Sequence, residues 1–324
     1  MPILKPNAEM IERCVQLLRA GECIGMPTET VYGLAADGLN PQAVARIFEI
    51  KKRPSFNPLI LHVARSYPID TLAQLNPNAE RLIQAFWPGP LTILLPKKKI
   101  VPDLVTAGLS TVALRSPSHS VAQELLQRFG GPLAAPSANR FGRISPTDAQ
   151  AVAEELGAAV SAILDGGSCA IGIESTIADL SSHPPRILRK GAVSSDAIEE
   201  ALETKCPDMQ SGKITAPGML ANHYAPETPL HRATHPLEEA SWNDEDAYLF
   251  WTTPKRPLPR RARVLTPHGD TAEAAVNLFR MLRELDAMRA KAIWCDPIPI
   301  TDSLSQAIDD RLKKASFKTC SNTE

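Results

Sequence analysis

The 324-residue sequence lacks a net charge of any size, since 35 basic and 36 acidic side chains give a formal charge of −1. A balanced chain has no global positive field for a polyanion, so phosphate chemistry has to come from a local cluster of cations. No apolar run approaches the roughly 20 residues that a membrane span needs, and the amino terminus has no secretory layout. We therefore expect a cytoplasmic protein with no membrane partner.

The common catalytic signatures are also missing. The six cysteines form no CxxC pair and no other short metal-ligand spacing, which favours reduced thiols over a zinc site. The P-loop GxxxxGK[ST], a GxGxxG after a strand, HExxH and GxSxG do not occur. These absences exclude a standard nucleotide-binding loop, a zinc-protease helix and a serine-hydrolase elbow.

The chain is long enough for two cores, and its 44% hydrophobic and 22% charged content is ordinary for globular proteins. Short apolar segments alternate with helices that Asn7, Asn40 and Asn76 are expected to cap, which predicts an α/β domain over residues 1–203. Residues 204–228 are rich in Pro and Gly and show no period, so we predict a linker there. Strand-like and amphipathic segments resume in residues 229–324, which predicts a smaller α/β domain.

Two early segments concentrate polar groups. The octet PTETVYGL, residues 27–34, follows a buried strand, where ligands of open α/β sheets tend to bind. A turn whose threonines bond their own backbone is the structural alternative. Lys51 and Arg53 end a predicted helix, where they could complement the helix dipole or grip a triphosphate. Both interpretations stay open.

Two further candidates close apolar strands. His62 ends PLILH and could be a core histidine with a satisfied ring or a ligand-binding group. Arg115 ends TVALR and could grip a substrate carboxylate through two hydrogen bonds or form a surface ion pair.

The segment LAAPSANRFGRISPT, residues 133–147, is the most informative. Small side chains let a backbone approach a ligand, and Ser137, Asn139 and Ser145 add neutral hydrogen-bonding groups suited to phosphate oxygens. Ser145 or Thr147 could equally cap the next helix. Farther on, GIESTI offers a glycine turn, a carboxylate and two hydroxyls, and Arg189 ends another strand.

Taken in order, the blocks PTETVYGLAADG, KKRPSFNPLILHV, WPGPLT, TVALRSP, AAPSANRFGRISPT, GIESTI and ILRKG resemble the YrdC-like threonylcarbamoyl-AMP synthases. APGMLANHYAP and DRLKKA are similar to the linker and the C-terminal domain of the long, two-domain form. The resemblance implies an α/β fold with a YrdC-like twisted mixed sheet and flanking helices, joined by a linker to a smaller Rossmann-like α/β domain.

The resemblance also implies a reaction. L-Threonine and bicarbonate form N-carboxythreonine, whose carboxylate attacks the α-phosphorus of ATP, releasing pyrophosphate and leaving threonylcarbamoyl-AMP. The product serves the modification of the tRNA adenosine next to the anticodon, so tRNA and a downstream threonylcarbamoyl-transferase complex are implied partners. Such a nucleotidyltransferase needs positioning and charge neutralisation, with Mg²⁺ carried by the ATP phosphates and no protein-only metal site.

By the same resemblance, site residues carry over to matching positions. The catalytic tetrad would be Lys51, Arg53, Ser137 and Asn139. The residues expected on ATP are Lys51, Arg53, Asn57, Thr111, Ser137, Asn139, Ser145, Arg189 and Tyr224, the last as part of a lid that excludes water. The residues expected on threonine are Thr30, His62, Arg115, Ala135 and Ser175.

Two other functions fit parts of the sequence. One is a double-stranded RNA or tRNA-binding module without adenylation activity, which the neutral charge disfavours because such binding depends on many phosphate contacts. The other is a carbamoyl-transfer enzyme of hydrogenase maturation, whose acylphosphatase-like and zinc-finger segments this chain lacks.

Overall fold

The computed structural model describes residues 1–208, 215–220 and 222–316. These residues form a ten-stranded sheet and a separate four-stranded sheet, each packed with helices. No helix in the described ranges combines the length and apolar character needed to cross a membrane.

The first sheet is mixed and lies in the amino-terminal part of the chain. Its strands are β1 (Ile3–Leu4), β2 (Ile24–Met26), β3 (Gly33–Asp37), β4 (Ile60–His62), β5 (Leu91–Pro96), β6 (Thr111–Arg115), β7 (Leu133–Ala134), β8 (Ala162–Leu164), β9 (Thr176–Asp179) and β10 (Arg186–Arg189). The flanking helices are α1 (Ala8–Arg19), α2 (Pro41–Lys51), α3 (Pro77–Phe86), α4 (Asp103–Thr106), α5 (Ser120–Phe129), α6 (Ala149–Leu156) and α7 (Ser195–Leu202). The strand order β1-β8-β2-β3-β7-β4-β6-β5-β9-β10 brings segments distant in sequence side by side.

The second sheet is wholly parallel. Its strands are β11 (Leu230–Arg232), β12 (Ala247–Phe250), β13 (Ala262–Val264) and β14 (Ile293–Cys295), in the order β11-β14-β12-β13. The helices are α8 (Thr271–Ala287) and α9 (Ser303–Ala315). The predicted fold class is confirmed, whereas the domain bounds 1–203, 204–228 and 229–324 stay a prediction.

Helix starts follow the local chemistry of their first residues. The side chains of Asn7, Asn40 and Asn76 accept backbone N–H bonds of the first turn, as predicted. The cap of α6 is Asp148, whose Oδ1 accepts from the Ala151 amide at 2.7 Å. Neither Ser145 nor Thr147 is the cap, because the helix begins beyond both.

The two domains share apolar packing. Val31, Ile144 and Ile173 of the first domain belong to the same buried cluster as Phe279 of α8 and Tyr224, which precedes the second domain. A common core of this kind holds the second domain directly against the loops of the first.

Candidate active site

A small cavity lies at the carboxyl ends of β4 and β6. These strands are parallel, and their register places His62 opposite Arg115. Residues two apart on a strand share a face, so Ile60 lies beside His62 on the cavity side. The cavity measures about 50 Å³, against roughly 300–1,000 Å³ for typical small-molecule sites. In this conformation the space is therefore largely filled by the protein itself.

Most of the residues predicted for the site meet at this cavity. Those that line it are Thr30, Arg53, His62, Arg115, Ala135, Ser137, Ser175, Arg189 and Tyr224. Lys51, Asn57, Thr111, Asn139 and Ser145 do not line it.

Lys51 lies behind the cavity wall and is only 1% exposed. Its Nζ donates to the carbonyl oxygens of Ser137 and Asn139, at 2.5 Å each. Burial, with a smaller contribution from the charge of Arg53, lowers the pKa of Lys51 well below its ordinary value. Lys51 therefore fixes the backbone of the loop that presents Ser137.

The two asparagines contribute buried polar atoms. Asn57 is fully buried, and neither atom of its side-chain amide has a partner among the described residues. Asn139 donates to the carbonyls of Arg140 and Arg143, while its Oδ1 has no partner within the same ranges. Unpaired buried amides are costly, so both are candidates for ligand contacts.

Thr111 and Ser145 stand farther from the cavity. Thr111 begins β6 and shares a face with Arg115, about 13 Å away at about 3.3 Å per residue. Ser145 Oγ donates to Glu174 Oε1 at 2.6 Å, so its proton is engaged away from any ligand.

Arg115 takes part in a buried ion pair rather than a surface one. Its guanidinium donates to Glu29 Oε1 at 2.7 Å and to Thr30 Oγ1 at 2.8 Å. Burial acts to raise the pKa of Glu29, but the charge and hydrogen bond of Arg115 outweigh it and the pKa is lowered. The guanidinium is thus held in a fixed orientation at the cavity wall.

His62 faces the cavity as a neutral ring. Burial lowers the pKa of His62 to about 3, and the charge of Arg115 acts in the same direction. Its Nδ1 has no hydrogen-bond partner among the described residues. A neutral imidazole with a free nitrogen is suited to a polar ligand group.

Three buried cations at the site have no carboxylate partner. Arg53 donates to the carbonyls of Asn57 and Pro58, and Arg189 donates to Ser175 and to the carbonyl of Pro217. Within the described part of the chain, neither these arginines nor Lys51 forms a salt bridge. Burial is the main cause that lowers the pKa of all three. Since an uncompensated buried charge is expensive, the arrangement calls for an anionic ligand with several charges.

The linker closes the cavity. Pro217, Gly218, His223 and Tyr224 all line it. The Tyr224 ring stacks on Phe279 with centroids 5.5 Å apart, and its backbone has a left-handed φ of +67°. That conformation is uncommon for a residue other than glycine.

Sequence reasoning assigned no role to several residues that shape the cavity, although Glu174 stands out as the carboxylate of GIESTI. Glu174, Gly218 and His223 line it, and Arg311 of α9 donates from Nε to Glu174 Oε2 at 3.2 Å. A signal for Arg311 exists, because it shares the inward stripe of α9 with Ile308, Leu312 and Ala315. An arginine on an apolar stripe points to a buried partner, but the sequence does not say which.

Comparisons with known proteins find relatives over nearly the whole chain. A family model described as "Telomere recombination" matches residues 16–191, and one described as "Threonylcarbamoyl-AMP synthase, C-terminal domain" matches residues 193–316. Proteins named threonylcarbamoyl-AMP synthase from Pyrococcus abyssi and Bacillus subtilis are 39% and 37% identical, covering 92% and 96% of this chain and 92% and 94% of their own. The crystal structure of P. abyssi Sua5 complexed with L-threonine superposes with a TM-score of 0.88 at 35% identity, covering 97% of each chain.

Proposed function

The chain belongs to the threonylcarbamoyl-AMP synthase family, and we propose that it forms threonylcarbamoyl-AMP from L-threonine, bicarbonate and ATP with release of pyrophosphate. The observation that carries the proposal is the group of three buried cations without carboxylate partners, Lys51, Arg53 and Arg189. A triphosphate is the ligand class that supplies several negative charges in a small volume.

On the phosphate side, we assign Arg53 and Arg189 to direct contact, because both line the cavity. Lys51 acts from behind by holding the loop that carries Ser137 and Asn139. Adenylation by this route needs charge neutralisation and alignment of the attacking carboxylate with the α-phosphorus, so no protein nucleophile is required. As a class, the reaction makes the protein a nucleotidyltransferase.

On the amino-acid side, we assign Arg115 to the threonine carboxylate. Its guanidinium is already oriented by Glu29 and Thr30, which leaves less rotamer freedom to lose on binding. His62 contributes a neutral nitrogen beside it, while Ala135 and Ser175 complete the wall. These roles follow the resemblance at matching positions and the shared cavity.

The linker is proposed as the lid. The cavity is too small for a nucleotide while Gly218, His223 and Tyr224 line it, so the linker has to move before ATP enters. Reclosure would exclude water from a product that hydrolyses readily. Asn57, Thr111 and Ser145 are proposed to reach the nucleotide only in that rearranged site.

Three further assignments accompany the reaction. Mg²⁺ is proposed to enter with the ATP phosphates, because phosphate oxygens are among the hard ligands that this cation prefers. The product is proposed to pass to a threonylcarbamoyl-transferase complex acting on tRNA. A cytoplasmic location is proposed because the five described cysteines are all free thiols.

The decisive experiment measures pyrophosphate release by purified protein with ATP, Mg²⁺ and bicarbonate, with and without L-threonine. Release is expected only with threonine, because N-carboxythreonine is the nucleophile. L-Serine serves as the matched control, since it differs from threonine by one methyl group and is expected to react at least tenfold more slowly in kcat/KM.

Equal release with serine, or without any amino acid, would remove the assignment of threonine. RNA binding that weakens steeply with added salt, in a protein that releases no pyrophosphate, would instead favour the RNA-binding alternative.

A further inference from the structure

An arginine of helix α9, in the second domain, contacts the first domain. The Arg311 side chain is 0% exposed, which is unusual for a charged residue. Its Nε donates to Glu174 Oε2 at 3.2 Å, and its Nη1 donates to the carbonyl of Lys190 at 2.7 Å. Both acceptors belong to the first domain, so a single side chain links α9 to two segments at the cavity.

Glu174 depends on this arginine for its charge balance. Glu174 is 6% exposed and lines the cavity. Among the described residues, the cation within salt-bridge distance of its carboxylate is Arg311. A buried carboxylate without a cation is strongly unfavourable, so removing Arg311 would leave the ionised Glu174 side chain buried and unpaired, at a large cost in free energy.

Glu174 in turn sets the direction of a hydroxyl. Its Oε1 accepts a hydrogen bond from Ser145 Oγ at 2.6 Å, which fixes the orientation of the Ser145 hydroxyl. The chain Arg311–Glu174–Ser145 therefore runs from the second domain to the end of the loop that also carries Ser137 and Asn139.

The same helix also holds the linker. Lys314, three residues after Arg311, donates from Nζ to the Gly218 carbonyl at 2.8 Å, and its own carbonyl accepts from the His223 amide at 3.3 Å.

The Arg311 guanidinium carbon lies 5.7 Å from the centre of the Tyr224 ring. Burial acts to lower the pKa of Arg311, but Tyr224, Glu174 and Asp310 outweigh it and the pKa is raised. In this respect Arg311 contrasts with Arg53 and Arg189, whose pKa values burial lowers.

We propose that Arg311 is a positioning residue for adenylation, through which the second domain orders the phosphate side of the cavity by fixing Glu174 against Ser145. The inference rests on the proposed function for the identity of the nucleotide. It makes the second domain part of the active site in this chain rather than an appended module.

The test is a double-mutant cycle of Arg311→Met, Glu174→Gln and the two together. ATP affinity is measured by titration calorimetry, stability by thermal unfolding, and turnover by pyrophosphate release. We expect Arg311→Met to weaken ATP binding at least tenfold and to lower the Tm. Adding Glu174→Gln should restore the Tm, and the double variant should bind ATP no more weakly than Glu174→Gln alone, because the two residues act as one unit.

Two further variants sharpen the cycle. Asp309 lies on the same helix as Arg311 and pairs with Arg232 of β11, so Asp309→Asn breaks an ion pair away from the cavity and should leave ATP affinity within twofold of wild type. Arg311→Lys keeps the charge and should recover part of the affinity. In Arg311→Lys, the KM for ATP should rise while the KM for threonine changes less than twofold, whereas general loosening of the fold would raise both.

The outcomes separate the two proposals. Independent, multiplying effects of Arg311→Met and Glu174→Gln would overturn the positioning role, as would equal losses in Asp309→Asn. If Arg311→Met does not fold, the double variant and Arg311→Lys decide the question. Wild-type protein that binds ATP but releases no pyrophosphate would refute the proposed function alone, while the binding and Tm cycle would still judge Arg311.

Discussion

At the scale of single residues, the main feature of the cavity is a group of buried cations that have no carboxylate partner among the described residues. Arg189 illustrates the point because its three hydrogen bonds to described residues go only to carbonyl and hydroxyl oxygens, those of Ser175 and Pro217. Neutral acceptors satisfy hydrogen bonds but leave the positive charge uncompensated. A bound polyanion would compensate this positive charge, and the electrostatic free energy gained in this way would favour binding.

Arg189→Met is therefore expected to weaken ATP binding at least tenfold, equivalent to about 1.4 kcal/mol of binding free energy. Arg186→Met on the same strand is the matched control, since Arg186 is exposed. Titration calorimetry should show near wild-type affinity for Arg186→Met. Equal losses in both variants, or none in Arg189→Met, would contradict a role for Arg189 in phosphate binding.

Burial of the neutral His62 ring makes the free energy of unfolding sensitive to acid. Its pKa is about 3 in the folded protein and about 6.5 when unfolded, so between these values the unfolded state binds the extra proton. The stabilising contribution is fully present above pH 6.5 and is lost as the pH falls towards 3. Between pH 7 and 5.5, His62 should account for a loss of about 1 kcal/mol in the free energy of unfolding.

Urea unfolding at both pH values measures that loss. His62→Gln should reduce the difference between pH 7 and 5.5 by about 1 kcal/mol. Replacement of the exposed His268 by Gln should not alter it. Parallel pH dependence of wild type and His62→Gln would show that the ring is not buried in its neutral form.

At the scale of secondary-structure elements, the sequence predicts what local chemistry decides. Helix starts at Asn7, Asn40 and Asn76 follow from side-chain caps, and apolar runs predict most strands of the first sheet. The two-residue β1 depends on its partner β8, so a short sequence window carries little signal for it. Non-local pairing, rather than propensity, creates this element.

The residues of the candidate site likewise divide into those that the sequence could predict and those that it could not. Arg115 and His62 could be named because they end apolar strands, and the register then brings them together. The contact of Arg311 with Glu174 spans 137 positions and crosses a domain boundary. No periodicity encodes such a contact, and an arginine in a helix is ordinarily exposed.

Gly191, just after β10, holds the backbone that presents Glu174 and Ser175. A Cβ on this residue would lie 2.5 Å from the Thr176 nitrogen and 2.6 Å from the Glu174 oxygen. Because both neighbours are backbone atoms, they cannot move aside as a side chain would. Gly191→Ala should therefore lower the free energy of unfolding by about 2 kcal/mol and raise the KM for ATP.

Gly131→Ala provides the comparison, since the nearest atom to its added Cβ would be Phe129 Cε1 at 3.1 Å. That ring can shift, so urea unfolding should detect a change below about 0.5 kcal/mol. A Gly191→Ala protein as stable and active as Gly131→Ala would show that the strand edge tolerates displacement.

At the scale of the whole molecule, the two sheets are joined by more than a linker. The shared cluster packs Val31, Ile144 and Ile173 against residues of the second domain. Gly172 lies against α8 so closely that a Cβ there would come within 2.4 Å of the Ala275 carbonyl oxygen. Separating the domains would expose this core and leave Glu174 without Arg311, so neither domain is expected to keep its structure alone.

The chain should consequently unfold in one cooperative transition. At about 0.7 kcal/mol per residue, the calorimetric enthalpy near 60 °C is expected to be about 230 kcal/mol, close to the van't Hoff value. Trp87 is the tryptophan of the first domain, and Trp242, Trp251 and Trp294 lie in the second. In Trp87→Phe, fluorescence reports the second domain alone, while circular dichroism reports both. The two midpoints should coincide, because loss of the shared core removes support from both sheets at once, whereas two resolved transitions would mean that the domains are energetically independent.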